Sequence, residues 1–332
     1  MEPPFYQDDL VSLYVGDVMD RLREMPDQSV RCCVTSPPYW GLRDYGVDGQ
    51  IGLEETPEAF VVRLVEVFRE VRRVLTDDGT LWVNLGDSYA ATGKSGGGDQ
   101  GKRWERIGAD TEGPRGGKWS PAPPGLKPKD LVGIPWRVAF ALQADGWWLR
   151  SDIIWAKPNP MPESVRDRPT KAHEYIFLLA KSARYYWDKE GASEPSVDPE
   201  KSAKRYESEF GGKKNVHLLE TNQVHTRPIE KRKFNGRRNP RTVWTITTKP
   251  FPEAHFATFP PELPERCIKA GSAPGDTVLD PFAGAGTTLL VAARLGRKSV
   301  GIELNHEYAT IAANRLKNDN PTLFSTPSGL AD

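Results

Sequence analysis

Apolar residues along this chain fall into two alternating rhythms, one of strands and one of helices. Ser12–Val15 reads as a short strand ending at Gly16-Asp17, Leu22 and Met25 mark an amphipathic helix, and Val30 to Thr35 is a second, more apolar strand. Phe60, Leu64, Val67, Phe68, Val71 and Leu75 recur at helical spacing, and Asp78-Gly79 is expected to end that helix before a strand from Thr80 to Leu85. A helix follows near Val132–Ala144, then a strand through Leu149, Ile153, Ile154 and Trp155, then one over Tyr175–Ala180 with a hairpin partner around Tyr185-Tyr186-Trp187. The last part repeats the rhythm: helix Leu263–Ala270, strand Thr277–Asp280, helix Thr287–Leu295, strand Ser299–Ile302 and helix Glu307–Leu316. Such alternation predicts an α/β fold built on a mostly parallel sheet covered on both faces.

The rhythm breaks in two places. Residues 91–128 are rich in glycine and proline and read as a long mobile loop, either a flap closing over DNA or a plain surface insertion; Trp104, Trp119 and several basic residues suit the flap. Residues 191–249 show little helical or alternating apolar pattern and read as an appended lobe, leaving 1–190 and 250–319 as two parts of one domain and 320–332 as a disordered tail.

Charge sharpens the view of that lobe. The 332-residue chain is neutral overall, with 45 basic and 45 acidic residues, which by itself argues mildly against a nucleic-acid partner. Yet Lys213, Lys214, Lys231, Arg232, Lys233, Arg237 and Arg238 crowd into the lobe, with Phe210, Phe234 and Trp244 among or beside them. A solvated basic loop would look like this, and so would a DNA-facing surface with cations on phosphates and polar groups on base edges. No stretch approaches the roughly 20 apolar residues of a membrane span. Met1-Glu2-Pro3-Pro4 has no leader character, and Cys32, Cys33 and Cys267 form neither a disulfide framework nor a metal-ligand spacing. The expectation is a cytoplasmic protein without metal or membrane.

Two short segments carry chemistry. Val278-Leu279-Asp280 ends a strand and is followed by Pro281-Phe282-Ala283-Gly284-Ala285-Gly286-Thr287, whose glycines permit a tight turn and close approach of a ligand to the backbone. Glu303 ends the next strand about 20 residues on, where an acid can hold both hydroxyls of a ribose. No Lys-Ser/Thr pair of a phosphate loop is present, so a nucleoside such as S-adenosylmethionine fits better than a nucleotide phosphate. Asp17, at another strand end, could accept from an adenine amine or simply cap the helix behind it.

The second segment, Ser36-Pro37-Pro38-Tyr39, lies at the carboxyl end of a strand, where open α/β sheets bind ligands. The prolines stiffen the backbone so that the Pro37 carbonyl and the Ser36 hydroxyl can together orient an exocyclic amine, while Tyr39 stacks on an extruded base. An ordinary proline turn capping a strand is the bland alternative, favoured if the glycine motif were absent. Cys32 and Cys33 sit inside an apolar strand and Cys267 on a helix, so a thiolate attack of the kind needed at cytosine carbon 5 is not expected.

Taken together, these segments resemble the β class of amino-methylating, site-specific DNA methyltransferases, in which the catalytic motif precedes the cofactor motif. Trp155-Ala156-Lys157-Pro158-Asn159, Arg166, Arg168-Pro169 and His173-Glu174-Tyr175 resemble the region between catalytic strand and recognition domain in that family. His255 with Phe259-Pro260 resembles its approach to the cofactor motif. The resemblance implies a Rossmann-like, circularly permuted methyltransferase fold, with Asp17, His255, Phe259, Asp280, Phe282, Gly284, Gly286, Thr287 and Glu303 around S-adenosyl-L-methionine. It further implies residues 191–249 as the target-recognition region, double-stranded DNA carrying a short target as partner, and a monomer or homodimer with or without a cognate restriction endonuclease. Family members with Ser at the first motif position tend to act on cytosine N4 and those with Asp on adenine N6, so Ser36 points to cytosine. An N6-adenine enzyme and an inactive DNA-binding regulator remain as alternatives. RNA and protein-glutamine methyltransferases place the cofactor motif first, the reverse of the order here.

Overall fold

The computed structural model describes residues 3–41, 46–90, 111–112, 118–119, 125–210, 235–248 and 259–319. Contacts divide the chain into two compact units, residues 1–188 with 242–332, and residues 189–241.

The first unit is organised by a nine-stranded sheet. Its strands are β1 (Tyr6–Gln7), β2 (Val11–Val15), β3 (Val30–Thr35), β4 (Leu75–Leu85), β7 (Trp148–Ala156), β8 (His173–Ala180), β11 (Val243–Thr245), β12 (Thr277–Asp280) and β13 (Lys298–Glu303). Across the sheet the order is β1-β2-β13-β12-β3-β4-β8-β7-β11. Every neighbouring pair is parallel except β1 with β2, β4 with β8 and β8 with β7, so only β1 and β8 run against the rest. The middle of the sheet joins the start of the chain to its end, for Cys32 and Cys33 of β3 register with Val278 and Leu279 of β12. Two further strands, β5 (Thr111–Glu112) and β6 (Lys118–Trp119), form a small antiparallel pair.

Helices cover both faces. On one lie α1 (Val18–Glu24), α2 (Pro57–Val74) and α3 (Ile134–Ala144), whose Leu22, Phe60, Leu64, Phe68, Val71, Val138 and Leu142 share a core with Cys33, Leu81, Val83 and Leu85. Strand alternation sends Cys32, Thr80 and Trp82 to the opposite face, where they approach Gly271 at the end of α6 (Glu262–Gly271). There α7 (Thr287–Arg294) and α8 (His306–Asp319) pack Leu289, Leu290, Ala309 and Leu316 against Val11 and Leu13. The caps follow local chemistry: Asp17 accepts from the amides of Met19 and Asp20, and Thr56 from that of Ala59.

The helix expected through Leu75 ends at Val74, and the chain joins β4 directly, pairing Leu75 with Val30 before a register shift and an even ladder from Thr80. Tyr185-Tyr186-Trp187 is a connector, not a strand; the Tyr186 amide donates to the Asp78 carbonyl and Trp187 stacks on Trp82 at 6.2 Å. Residues 242–248, included in the 191–249 lobe by their sequence, belong to the first unit, with β11 as its edge strand.

The second unit contains α4 (Lys189–Ala192), β9 (Glu194–Pro195), α5 (Pro199–Phe210) and β10 (Arg237–Arg238), the two strands pairing antiparallel. The twelve-residue α5 corrects the expectation of a lobe with little helix. Most of the 91–128 loop, the basic residues Lys213, Lys214, Lys231, Arg232 and Lys233, His255, and the tail from Asn320 lie outside the described residues.

Candidate active site

The glycine turn and the proline turn meet because β12 and β3 are adjacent and parallel, so both turns leave the carboxyl ends of neighbouring central strands. A buried hydrogen bond locks them together: Thr35 Oγ1 donates to Asp280 Oδ1 at 2.7 Å, and the Phe282 amide donates to the same oxygen at 3.1 Å. Burial raises the Asp280 carboxyl to about 6, although hydrogen bonds from Thr35, Thr288 and the Phe282 amide pull the other way. Gly286 has a φ of 74°, and a Cβ there would stand 2.9 Å from that of Ala312, so the turn can close only on a glycine.

Glu303, at the end of β13, ties the turn from the other side. Its Oε2 accepts the Gly284 amide and its Oε1 the Asn305 amide, each at 2.8 Å. Burial raises its pKa against those hydrogen bonds. Asp17 caps α1 through Oδ1, accepting from Met19 at 2.8 Å and Asp20 at 3.2 Å, and Oδ2 takes no part in the cap. Both carboxylates line a cavity of about 300 Å³, together with Phe259, Phe282, Gly284, Thr287 and Tyr308. Acids for ribose and amine, aromatic faces for a purine and a backbone bared by glycine suit a nucleoside, so the residues present fit S-adenosyl-L-methionine.

The same cavity is lined by Ser36, Pro37, Pro38, Tyr39, Asn84, Trp155, Lys157 and Glu174, from the ends of β3, β4 and β7 and the start of β8. Tyr39 is held firmly. Its hydroxyl donates to Glu174 Oε2 at 2.8 Å and lies 3.3 Å from Asn84 Oδ1. Its ring lies against Gly86, where a Cβ would come within 2.5 Å of Tyr39 Cε2. Glu174 also pairs with Lys157, whose ammonium sits 4.2 Å from the centroid of the Trp155 ring. Lys157 and Glu174 are recognisable from sequence as parts of motifs, but not as a pair. Asn84 was not singled out; its trace in the sequence is one amide closing the apolar run Leu81–Val83, and Tyr308, on α8, leaves none.

The cysteines are spectators. Cys32, Cys33 and Cys267 are buried, and burial lifts all three thiols, Cys32 to about 12. In the second unit Arg237 donates to Ser193 Oγ at 2.6 Å, and Arg238 pairs with Glu194 at 2.9 Å, so both guanidinium groups brace the β9–β10 ladder. Among the described residues no helix is long and apolar enough to cross a membrane, and no cluster of three His, Cys, Asp or Glu residues could hold a metal.

Known proteins carry the same architecture. Residues 30–314 match the model of a DNA methylase family, the N6/N4 methyltransferases. The chain is 51% identical to the Type II methyltransferase M.Cfr9I of Citrobacter freundii over 94% of its own length and 90% of that protein. It is 47% identical to the Type II methyltransferase M.SmaI of Serratia marcescens over 92% and 90%. Among solved structures it superposes on a DNA modification methylase of Thermus thermophilus, solved with S-adenosyl-L-methionine, with TM-score 0.56, 27% identity and coverage of 93% and 94%. The cytosine-N4-specific PvuII DNA methyltransferase shares the fold with TM-score 0.63 at 20% identity, over 94% and 88%. A permuted sheet with both motifs at the carboxyl ends of neighbouring strands, matched nearly end to end by these proteins, places the chain in the family of S-adenosyl-L-methionine-dependent DNA methyltransferases that modify exocyclic amines, the N4/N6 class.

Proposed function

We propose that this enzyme methylates N4 of cytosine within a short, specific site in double-stranded DNA, as the modification half of a restriction–modification pair. The observation carrying the base assignment is Ser36, a neutral hydroxyl at the head of the Pro-Pro-Tyr turn and on the wall of the cavity. Relatives named as Type II methyltransferases support a site-specific duplex substrate.

When bound, S-adenosyl-L-methionine supplies an electrophilic methyl group. Asp17, Phe259, Phe282, Glu303 and Tyr308 hold its nucleoside, with Gly284 and Gly286 allowing the backbone to approach and Asp280 and Thr287 setting the turn; His255 is assigned to the same site by the family resemblance alone. The target amine is conjugated with its ring, so its lone pair is a poor nucleophile until the nitrogen pyramidalises. Ser36 Oγ and the Pro37 carbonyl accept the two N–H groups and favour that geometry, and Pro38 keeps the carbonyl rigid. Because the amine cannot be reached inside a duplex, the base leaves the helix and stacks on Tyr39, whose hydroxyl is already anchored. Residues 189–241 form the recognition region, where Lys213, Lys214, Lys231, Arg232 and Lys233 neutralise phosphates while Arg237 and Arg238 brace the β9–β10 ladder.

N6 of adenine presents a similar edge, an amine beside a ring nitrogen, and is the second reading. Methylation mapping of a genome expressing the protein, backed by nucleoside mass spectrometry, separates the two. N4-methylcytosine at one short motif is expected. N6-methyladenine would overturn the base assignment and leave the family intact, and modification scattered without a motif would overturn site specificity.

A further inference from the structure

Asn84 is the penultimate residue of β4, a buried amide, 2% exposed, between the Ser-Pro-Pro-Tyr turn and β8. Its Nδ2 donates to Glu174 Oε2 and to the Tyr175 carbonyl, both at 3.1 Å. Its Oδ1 faces two hydroxyls, Ser36 Oγ at 3.4 Å and Tyr39 at 3.3 Å. Turning the amide over would set Oδ1 against a carboxylate and a carbonyl, neither of which carries a proton. Two hydrogen bonds would become two repulsions in a buried place, so the chemistry of the neighbours decides the orientation.

That orientation decides where protons go. A hydroxyl has one proton to give. Tyr39 has the shorter and charged acceptor in Glu174 Oε2 at 2.8 Å, which leaves Asn84 Oδ1 for the proton of Ser36. We propose that Asn84 is a positioning residue that accepts the hydrogen bond of the Ser36 hydroxyl, so that Ser36 meets the target amine with lone pairs only. Left free, the hydroxyl could turn and donate to the amine nitrogen, tying up the electron pair that must bond to the methyl carbon. Asn84 removes that unproductive arrangement before the substrate arrives. Glu174, balanced by Lys157, holds the amide in place from behind.

The inference rests on the reading of Ser36 as an acceptor for the amine, and one set of variants tests each separately. Steady-state kcat, KM for duplex and S-adenosyl-L-methionine affinity are measured for Asn84→Leu, Ser36→Ala and the double variant. Asn84→Leu is expected to lower kcat about tenfold, the worth of a buried hydrogen bond, with cofactor affinity unchanged. In the Ser36→Ala background the same change has no proton to place, so the double variant should fall within about twofold of Ser36→Ala alone. Losses that multiply would overturn the inference, since Asn84 would then act on something other than Ser36. Wild-type kcat in Ser36→Ala would overturn the reading of Ser36 itself; a slow Ser36→Ala beside an unimpaired Asn84→Leu would overturn only the role of Asn84. Should Asn84→Leu not fold, Glu174→Leu and Glu174→Gln decide the matter. Gln keeps a carbonyl for Asn84 Nδ2 and should restore most of the kcat lost with Leu, whereas equal loss in the two would count against the inference.

Discussion

Asp280 shows how a single residue can join two distant segments and leave a thermodynamic trace. Its carboxyl stands at about 6 because it is buried, against about 3.9 in an unfolded chain. Between those values the folded protein holds a proton that the unfolded chain has released, so this residue favours folding below about pH 4 and loses that contribution as pH rises to about 6. Asp280→Asn keeps an oxygen for Thr35 Oγ1 and removes the titration. Thermal unfolding of the cofactor-free protein should therefore show the variant gaining on the wild type as pH is raised from about 4 to about 6.5. A constant difference between the two across that range would show that Asp280 does not carry the shift.

Residues of this kind differ in how openly the sequence displays them. Gly284, Gly286 and Glu303 can be read because strand, turn and acid follow one another within one local stretch, and their spacing is itself the chemistry. Asn84 and Glu174 cannot, for their partnership exists only where β4 and β8 run antiparallel, with Asn84 opposite Ile176 and Leu85 opposite Tyr175. Asn84 alone is one polar residue at a strand end, a position with many uses. The sequence separation of 90 from Glu174 hides the pair from any local pattern.

Elements were legible where one face of a helix or strand had to be buried, and obscure where something else set the boundary. The apolar stripe of α2 is plain, yet its end is fixed by β4 pairing at Leu75 and not by Asp78-Gly79. Helix α5 carries only Ala203, Tyr206 and Phe210 at helical spacing among charged and small residues, a short signal easily passed over. Between β4 and α3, backbone hydrogen bonds from Val132 to Ser88 and from Ala90 to Asp130 are joined by one side chain. Asp87 Oδ1 accepts the amides of Gly133 and Ile134 at 2.9 and 3.0 Å, supplying from outside the helix the cap that Gly133 lacks. Asp87→Ala should cost about 1 to 2 kcal/mol in chemical denaturation, and Asp87→Asn much less because an oxygen remains. Equal loss in both variants would mean that the charge, and not the cap, is what α3 requires.

At the scale of the whole molecule, the order of the chain and the order of the sheet disagree, and the disagreement organises the enzyme. The strand leading into the Ser-Pro-Pro-Tyr turn comes early and the one leading into the glycine turn late, yet they are neighbours in the sheet, so the segment between them can vary without disturbing either turn. Residues 189–241 form a compact unit within that segment, and the residues on either side of it are fastened within the first unit by backbone hydrogen bonds. The Asp188 amide donates to the Ala270 carbonyl, and the Ile154 amide donates to that of Thr242. Excising 189–241 and joining Asp188 to Thr242 through a short Gly/Ser linker should leave β11 in the sheet and the cavity lined as before, since every lining residue belongs to the first unit. Calorimetry should then find S-adenosyl-L-methionine affinity within a few-fold of the intact protein. Methylation of duplex DNA should lose its preference for one site, a preference worth on the order of a thousandfold or more in specific DNA-binding proteins. Retained preference would place target reading in the first unit; lost cofactor affinity would show that the sheet depends on residues 189–241 for its stability, making recognition and catalysis less separable than the permuted order suggests.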